Sequence, residues 1–314
     1  MAMERLGVTG MTNEMKQFYD KKLLSVAETD LVYLQYGVKR PIPARGGKSI
    51  EFRRFERITI TAGSYTLTEG TPGAETNATV SNVAATISQY GQYSRITDVL
   101  NLQSYDPIIA EYSEKYGMAM AEGLDIVARN VLSAATTIQY AGNAIQVGTS
   151  GTGSVGSGQY LNAAELLEAR RTLRRAGARK PYRCLIHPDN QKDLFEDPDI
   201  RDDFRWAEPE AIRSGKIGQW MGIEFVETNN LRIRTSYGMS GADTYEVFMF
   251  GDEYYGVTEL SALSARMYVQ PPGGVSDPLE QYSTLGWKAA LAAVILNENF
   301  GVLINCASSR SNSA

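Results

Sequence analysis

The chain has 314 residues, 43% of them hydrophobic, with 31 Lys and Arg against 36 Asp and Glu, a formal net charge of -5. A chain of that length hides roughly three quarters of its extended surface on folding, so its core needs no staples, and its mild acidity is a solubility value rather than a nucleic-acid-binding signature. One His and two Cys exclude a His- or Cys-rich zinc site within one copy, and Cys184 and Cys306 lack the paired spacing of a disulfide scaffold.

Glu4 and Arg5 interrupt the start before a secretory apolar run can build, and the apolar stretch at 289–296 is too short to span a bilayer. A soluble protein with no export signal of its own is expected. Residues 1–47 read as a peripheral arm, with Phe18, Leu23, Leu24, Ala27, Leu31 and Leu34 fitting one or two short helices that end at Gly37, Pro41, Pro43 and Gly46-Gly47. So few apolar residues need another surface to pack on, in the same domain or on a neighbour. Residues 49–61 read as a strand whose phase changes at Phe55, between Ile50 and Phe52 on one side and Ile58 and Ile60 on the other, as at a bulge. A polar tip follows at 63–77, with Glu69-Gly70 and Pro72-Gly73, and then a second strand at 79–99 with Val83, Ala85 and Ile87 in phase. The two strands make a long hairpin rich in Thr, Ser, Gln, Arg and Tyr, which is poor core material and marginal in isolation.

The strongest periodicity follows Pro107. Ile109, Tyr112, Tyr116, Met120, Leu124, Val127, Val131, Ala135 and Ile138 recur at steps of three or four, one face of a helix over 107–138. Asp106 is placed to cap it with Pro107 at the first helical position, and Gly117 and Gly123 lower its propensity but admit a closely packed strand. Residues 142–158 are a Gly, Ser and Thr loop. A helix over 162–176 buries Leu166, Leu167 and Leu173, a short strand at 182–186 ends at His187-Pro188, and a short helix starts at Asp189 or Asn190. Residues 197–213 read as a charged loop. Strands follow at 223–226 and 245–250, with shorter ones at Val257 and Tyr268-Val269, a turn at 271–274, apolar closing segments at 287–296 and 301–305, and a frayed tail from Ser308.

The chemistry-bearing residues do not converge. His187, the one imidazole, sits where a strand meets a helix cap. Cys184 alternates with apolar neighbours in a strand, and its spacing from His187 puts the two on opposite faces. Gly151-Thr152-Gly153-Ser154-Val155-Gly156 lacks the Gly-Lys-Ser/Thr of a phosphate loop. The carboxylates Asp189, Asp193, Glu196, Asp197, Asp199, Asp202 and Asp203 have no central Gly to form a calcium loop. Arg170, Arg171, Arg174, Arg175, Arg179, Lys180 and Arg183 form a basic cluster without aromatic interleaving, which fits pairing with that acidic run within or between subunits. The 18 Tyr suit interfaces. No catalytic residue, cofactor site or metal site is assigned. The residues read as candidate intersubunit contacts are Arg53, Arg54, Glu69, Arg170, Arg171, Arg174, Arg175, Asp202 and Asp203. An α+β protein whose extended parts seek partners is an assembly protein before it is an enzyme.

The order of parts, with Gly47-Lys48-Ser49-Ile50-Glu51-Phe52-Arg53-Arg54, Glu69-Gly70 with Pro72, Gly218-Gln219-Trp220-Met221-Gly222-Ile223-Glu224-Phe225-Val226-Glu227-Thr228, Pro271-Pro272-Gly273, Asp277-Pro278 and Gly286-Trp287-Lys288, resembles the major capsid proteins of tailed bacteriophages, and among them the N4-like branch. The resemblance covers about 15–305. It implies the α+β tailed-phage capsid (HK97-like) fold: an N-terminal arm at 1–47, an extended hairpin loop at 48–98 lying over a neighbouring subunit, a peripheral domain at 99–180 with its spine helix at 107–138, an axial domain at 181–265, and a return to the peripheral domain with a C-terminal tail at 266–314. It implies hexamers and pentamers of the chain in an icosahedral shell around double-stranded DNA, assembled in the bacterial host cytoplasm, with a portal protein at one vertex, a scaffolding or decoration protein as a further partner, non-specific contact with DNA, no cofactor and no membrane. No long scaffold-like region precedes the arm, so cleavage of a long leader is not expected. The rival readings are a soluble enzyme of unknown class, with a pocket near His187 or the acidic run, and another phage structural component such as a tube or decoration protein.

Overall fold

The computed structural model describes residues 32–43, 47–56, 58, 66–67, 69–70, 75, 77–104, 107–142, 146–147, 155–156, 158–207, 218–259, 265–273, 277 and 279–310. In chain order the elements are β1 Val38–Lys39, β2 Ser49–Phe55, β3 Val80–Thr86, β4 Ser88–Thr97, α1 Asp98–Gln103, α2 Ile108–Leu132, β5 Thr137–Tyr140, β6 Gln146–Val147, α3 Ala163–Ala176, β7 Arg179–Ile186, α4 Pro188–Glu196, α5 Pro198–Ala207, β8 Gln219–Trp220, β9 Ile223–Glu227, β10 Ile233–Arg234, β11 Thr244–Asp252, β12 Tyr255–Glu259, β13 Ala265–Gln270, β14 Tyr282–Ile295 and β15 Gly301–Cys306, with single 3-10 turns at Met239–Gly241 and Glu298–Phe300. They form an eight-stranded sheet, a five-stranded sheet and a separate two-stranded ribbon.

The eight-stranded sheet runs β6-β5-β15-β11-β7-β9-β8, with β10 also paired to β11. Its centre, β11, carries Tyr245, Val247, Phe248, Met249 and Phe250, all buried, as an apolar run covered on both faces must be. β9 and β15 enter parallel to β7 and β5. β8 and β9 turn through Met221 and Gly222, at φ 49° and 77°, the left-handed pair of a tight hairpin.

The five-stranded sheet is built on β14. β4 lies along one edge of it, while β13 and then β12 share the other, and β1 adds in parallel to β12. α2 packs across one face. A Cβ on Gly123 would meet the Trp287 ring at 3.8 Å and one on Gly117 the Met267 methyl at 3.9 Å, ordinary contact distances, so the close strand approach that the two glycines suggest in the sequence does not depend on them. Leu124, Ala128 and Leu132 of α2, Trp287, Ala289 and Leu291 of β14, and Tyr254, Tyr255 and Phe250 belong to one core shared by both large sheets. A second cluster joins Ile96, Ile108 and Leu285.

Several sequence expectations are revised. The helical periodicity runs on to Ile138, but α2 stops at Leu132 after 25 residues, roughly 37 Å. Thr137–Tyr140 is a fully buried strand instead, because short apolar runs fit either period. Pro107 is the N-cap of α2, with no side-chain cap bond, and Asp106 lies outside the described residues. The run 79–99 divides at Ile87: β3 pairs with β2, β4 joins the five-stranded sheet, and Asp98 and Val99 open α1. The β2–β3 register shows no bulge at Phe55, where the strand simply ends. Leu167 is 40% exposed rather than buried, while Ala163 and Ala169 share the inner face of α3 with Leu166 and Leu173. Residues 198–207 are helical rather than looped, and β14 is longer than its apolar part. Residues 15–31 of the arm lie outside the described residues, and 32–36 form a turn.

Candidate intersubunit surfaces

The β2–β3 ribbon pairs in register from Ser49–Thr86 at its root to Phe55–Val80 at its outer end. Alternation sends Phe52 and Ala85 inward, where they pack with Ile42 and Ile87 on Ala290 and Ala292 of β14. Arg54 shares that face and donates through Nη1 to the Leu296 carbonyl at 3.3 Å, with Nη2 3.3 Å from Glu56. The root of the hairpin therefore rests on its own subunit, and so does the described end of the arm. Tyr33 is fully buried, and its carbonyl accepts the Tyr255 hydroxyl at 2.5 Å. Beyond the root the ribbon has no further strand partner among the described residues. Phe55 and Val80, directly paired, are both exposed, and Phe55 and Leu67 are each 74% exposed. Arg53 and Glu69 are exposed as well.

The four arginines of α3 spread over its outer surface. Asn162 caps the helix by accepting the Glu165 N–H at 3.0 Å, and Gly177 at φ 79° ends it while Ala178 N–H donates back to the Leu173 carbonyl at 3.0 Å. Arg171 pairs with Glu168 one turn away, which holds the Glu168 carboxyl below its ordinary range. Arg174 and Arg175 are exposed, and Arg170 is half-buried. Asp202 is exposed on α5, 4.0 Å from Arg201, and Asp203 lies on the same helix. Among the described residues no ion pair joins the arginines of α3 to α5; the two helices are instead tied by Asp197, whose Oδ2 accepts the Ala163 N–H at 2.7 Å and whose Oδ1 accepts the Asp199 N–H at 3.0 Å.

His187 is a helix cap. Its Nδ1 accepts the Asp189 N–H at 3.2 Å at the start of α4, so the ring proton belongs on Nε2. Burial lowers its basicity, against the pull of the Asp189 carboxylate. Asp189 accepts the Tyr245 hydroxyl at 2.9 Å and pairs with Arg310 at 3.4 Å. Ser309 donates its hydroxyl to Asp193 at 2.6 Å. Residues 308–310 are thus tied to α4, not frayed, and 311–314 lie outside the described residues. Cys184 and Cys306 are both fully buried, and burial pushes both thiols well above their ordinary range, away from the thiolate form that reacts.

One polar centre escapes sequence reading. Asp125, on the inner face of α2, is fully buried. Its Oδ1 accepts the Leu34 N–H at 3.1 Å and its Oδ2 accepts the Asn230 amide at 2.9 Å, while Arg129 Nη1 donates to Asn230 Oδ1 at 2.9 Å. It joins the arm root, the long helix and the loop before β10. The periodicity of α2 marks position 125 as adjacent to the core, and that is its only sequence signal.

A profile of the phage capsid protein family matches residues 12–271. A search of curated proteins returns no match. Solved structures similar to this chain include the capsid of the cyanophage P-SCSP1u (16% identity, 94% of this chain and 93% of that one, TM-score 0.69), the capsid asymmetric unit of cyanophage Pam1 (13%, 99% and 100%, TM-score 0.70) and the capsid of Ralstonia phage GP4 (12%, 99% and 100%, TM-score 0.70). The α+β fold is thus the HK97-like capsid architecture, and the chain belongs to the phage capsid protein family, a structural protein of the virus particle.

Proposed function

We propose that the chain is the major capsid subunit of a phage of the N4-like branch, assembling as hexamers and pentamers into an icosahedral shell around double-stranded DNA. The observation that carries this reading is the β2–β3 ribbon: among the described residues it is paired with no third strand, and its outer end shows the apolar pair Phe55 and Val80 to solvent. A lone two-stranded ribbon is marginal, and an exposed apolar end marks an interaction surface. In the assembled shell the ribbon lies over a neighbouring subunit, α2 is the spine of the peripheral domain, residues 181–265 form the axial domain, and 266–305 return to the periphery. Arg53, Arg54, Glu69, the four arginines of α3, Asp202 and Asp203 serve as contacts between copies. A portal protein at one vertex and a scaffolding or decoration protein complete the particle, and the subunit's net charge of -5 leaves its DNA contact non-specific and weak.

Purified chain examined by negative-stain microscopy and sedimentation velocity at rising concentration forms closed polyhedral particles. Phe55→Asp keeps its circular dichroism spectrum and loses the particles. Wild-type chain that remains monomeric at every concentration rules the reading out.

A further inference from the structure

The five-stranded sheet hides one face under α2 and leaves half of the other bare. Along β14, Leu285, Trp287, Ala289 and Leu291 point to the core, so Thr284, Gly286, Lys288, Ala290 and Ala292 point outward. The ribbon root covers Ala290 and Ala292. Register assembles the rest in rows: Arg95–Thr284–Gln270, Tyr93–Gly286–Tyr268 and Gly91–Lys288–Arg266. Tyr93 and Tyr268, 67% and 46% exposed, stand on either side of Gly286. A Cβ on Gly286 would lie 2.7 Å from that of Tyr93, so glycine keeps the floor open, and a trough of about 570 Å³ runs between the two rings. Arg95 lies 4.9 Å over the Tyr282 ring. Arg95, Lys288 and Arg266 are exposed, no carboxylate occupies an outward position of β4, β13 or β14, and among the described residues no ion pair reaches these three cations. On a chain of net charge -5, a basic and aromatic face without a single acid is a specific feature.

Its complement lies in the same sequence. From Ile58 to Ser94 the only charged residues are Glu69 and Glu75. Both are exposed, as is Leu67 beside them. Among the described residues no part of the β2–β3 ribbon lines the trough. We infer that the trough receives the hairpin tip of a second copy, with Glu69 and Glu75 against Arg95, Lys288 and Arg266 and Leu67 between Tyr93 and Tyr268. This rests on the shell reading and adds its acceptor site. Opposed one-sign patches fix the register of two subunits and speed their encounter more than they add affinity, so the contact weakens as salt screens it.

Charge exchange tests it. One variant reverses the tip (Glu69→Lys with Glu75→Lys), another reverses the face (Arg266→Glu with Lys288→Glu), and a third carries all four changes. Particle yield is read by light scattering and microscopy, and near-ultraviolet circular dichroism checks each fold. Each two-site variant is expected to lose at least tenfold in yield at fixed concentration, while the four-site chain recovers it and an equimolar mixture of the two two-site variants, which can alternate around a hexamer but not around a pentamer, assembles more than either variant alone. Recovery by the four-site chain with no gain in the mixture would place the contact within one subunit and overturn the inference, as would two-site variants that assemble like wild type. Neither result touches the shell reading, which fails only if wild-type chain does not assemble.

Discussion

Asp125 sits where a helix that packs on a sheet would ordinarily carry an apolar side chain. The Asn230 amide and backbone N–H groups of the arm root, Leu34 among them, hold its carboxylate, but burial outweighs them and pushes the group above the usual carboxylate range. Between the ordinary value and the raised one, the native state holds more protons than the unfolded chain. The residue's contribution to stability therefore grows as pH falls through that interval. Asp125→Asn removes the titration. The unfolding free energy of wild type minus that of the variant is expected to increase from pH 7 towards pH 4 in urea titrations, and a difference independent of pH contradicts this placement. Asp125→Ala strands the Leu34 N–H and the Asn230 amide in a buried site and costs about 1–3 kcal/mol. Gly301 is constrained in a different way. Its missing side chain is replaced by the buried Tyr254 ring, which lies directly against the position a Cβ would take. Gly301→Ala overpacks that contact and is expected to cost about 1–3 kcal/mol in the urea midpoint of the unassembled subunit.

At the level of elements, α3 separates inner from outer leucines. Leu166 is fully buried and its neighbour Leu167 is 40% exposed. Leu166→Ala should cost about 2–5 kcal/mol, and Leu167→Ala, away from any packed feature, no more than about 0.5 kcal/mol. Equal losses in the urea midpoint would reject the observed facing of the helix. The long helix and the hairpin were legible in the sequence because their periods are local. Steps of three and four predict α2 through Leu132, and alternation at Val83 and Ala85 predicts β3. The end of α2 was not legible, because the apolar positions continue in phase into β5. Nor was α5, where Ile200 is the one buried apolar residue among the described side chains of 198–207. The overlooked signal there was Asp197-Pro198, a cap followed by proline at the first helical position. Of the proposed contact surfaces, Glu69 was visible as a charged turn. The face made by Tyr93, Tyr268, Lys288 and Arg266 was not, because it exists only once β4, β14 and β13 are laid side by side.

At the largest scale, the arm root, the hairpin root and both large sheets are fastened to one subunit, and among the described residues it is the outer ribbon that has no third strand. This divides the expected effects of mutation in two. Changes at Phe55, Glu69 or Lys288 should alter the yield of particles without moving the unfolding midpoint of the free subunit, while changes at Leu166 or Asp125 should move the midpoint first. Both large sheets depend on segments that come late in the sequence. β14 lies between β4 and the pair β13 and β12, and β15 lies between β5 and β11. Every other strand precedes them, so neither sheet can close while translation is still upstream of residue 282. Until then the five-stranded sheet lacks the strand that joins β4 to β13 and β12, and β5 and β6 have no link to the rest of the eight-stranded sheet. A stop codon before β14 therefore removes the shared middle of the five-stranded sheet and all of β15, and the truncated chain is expected to show no cooperative urea transition.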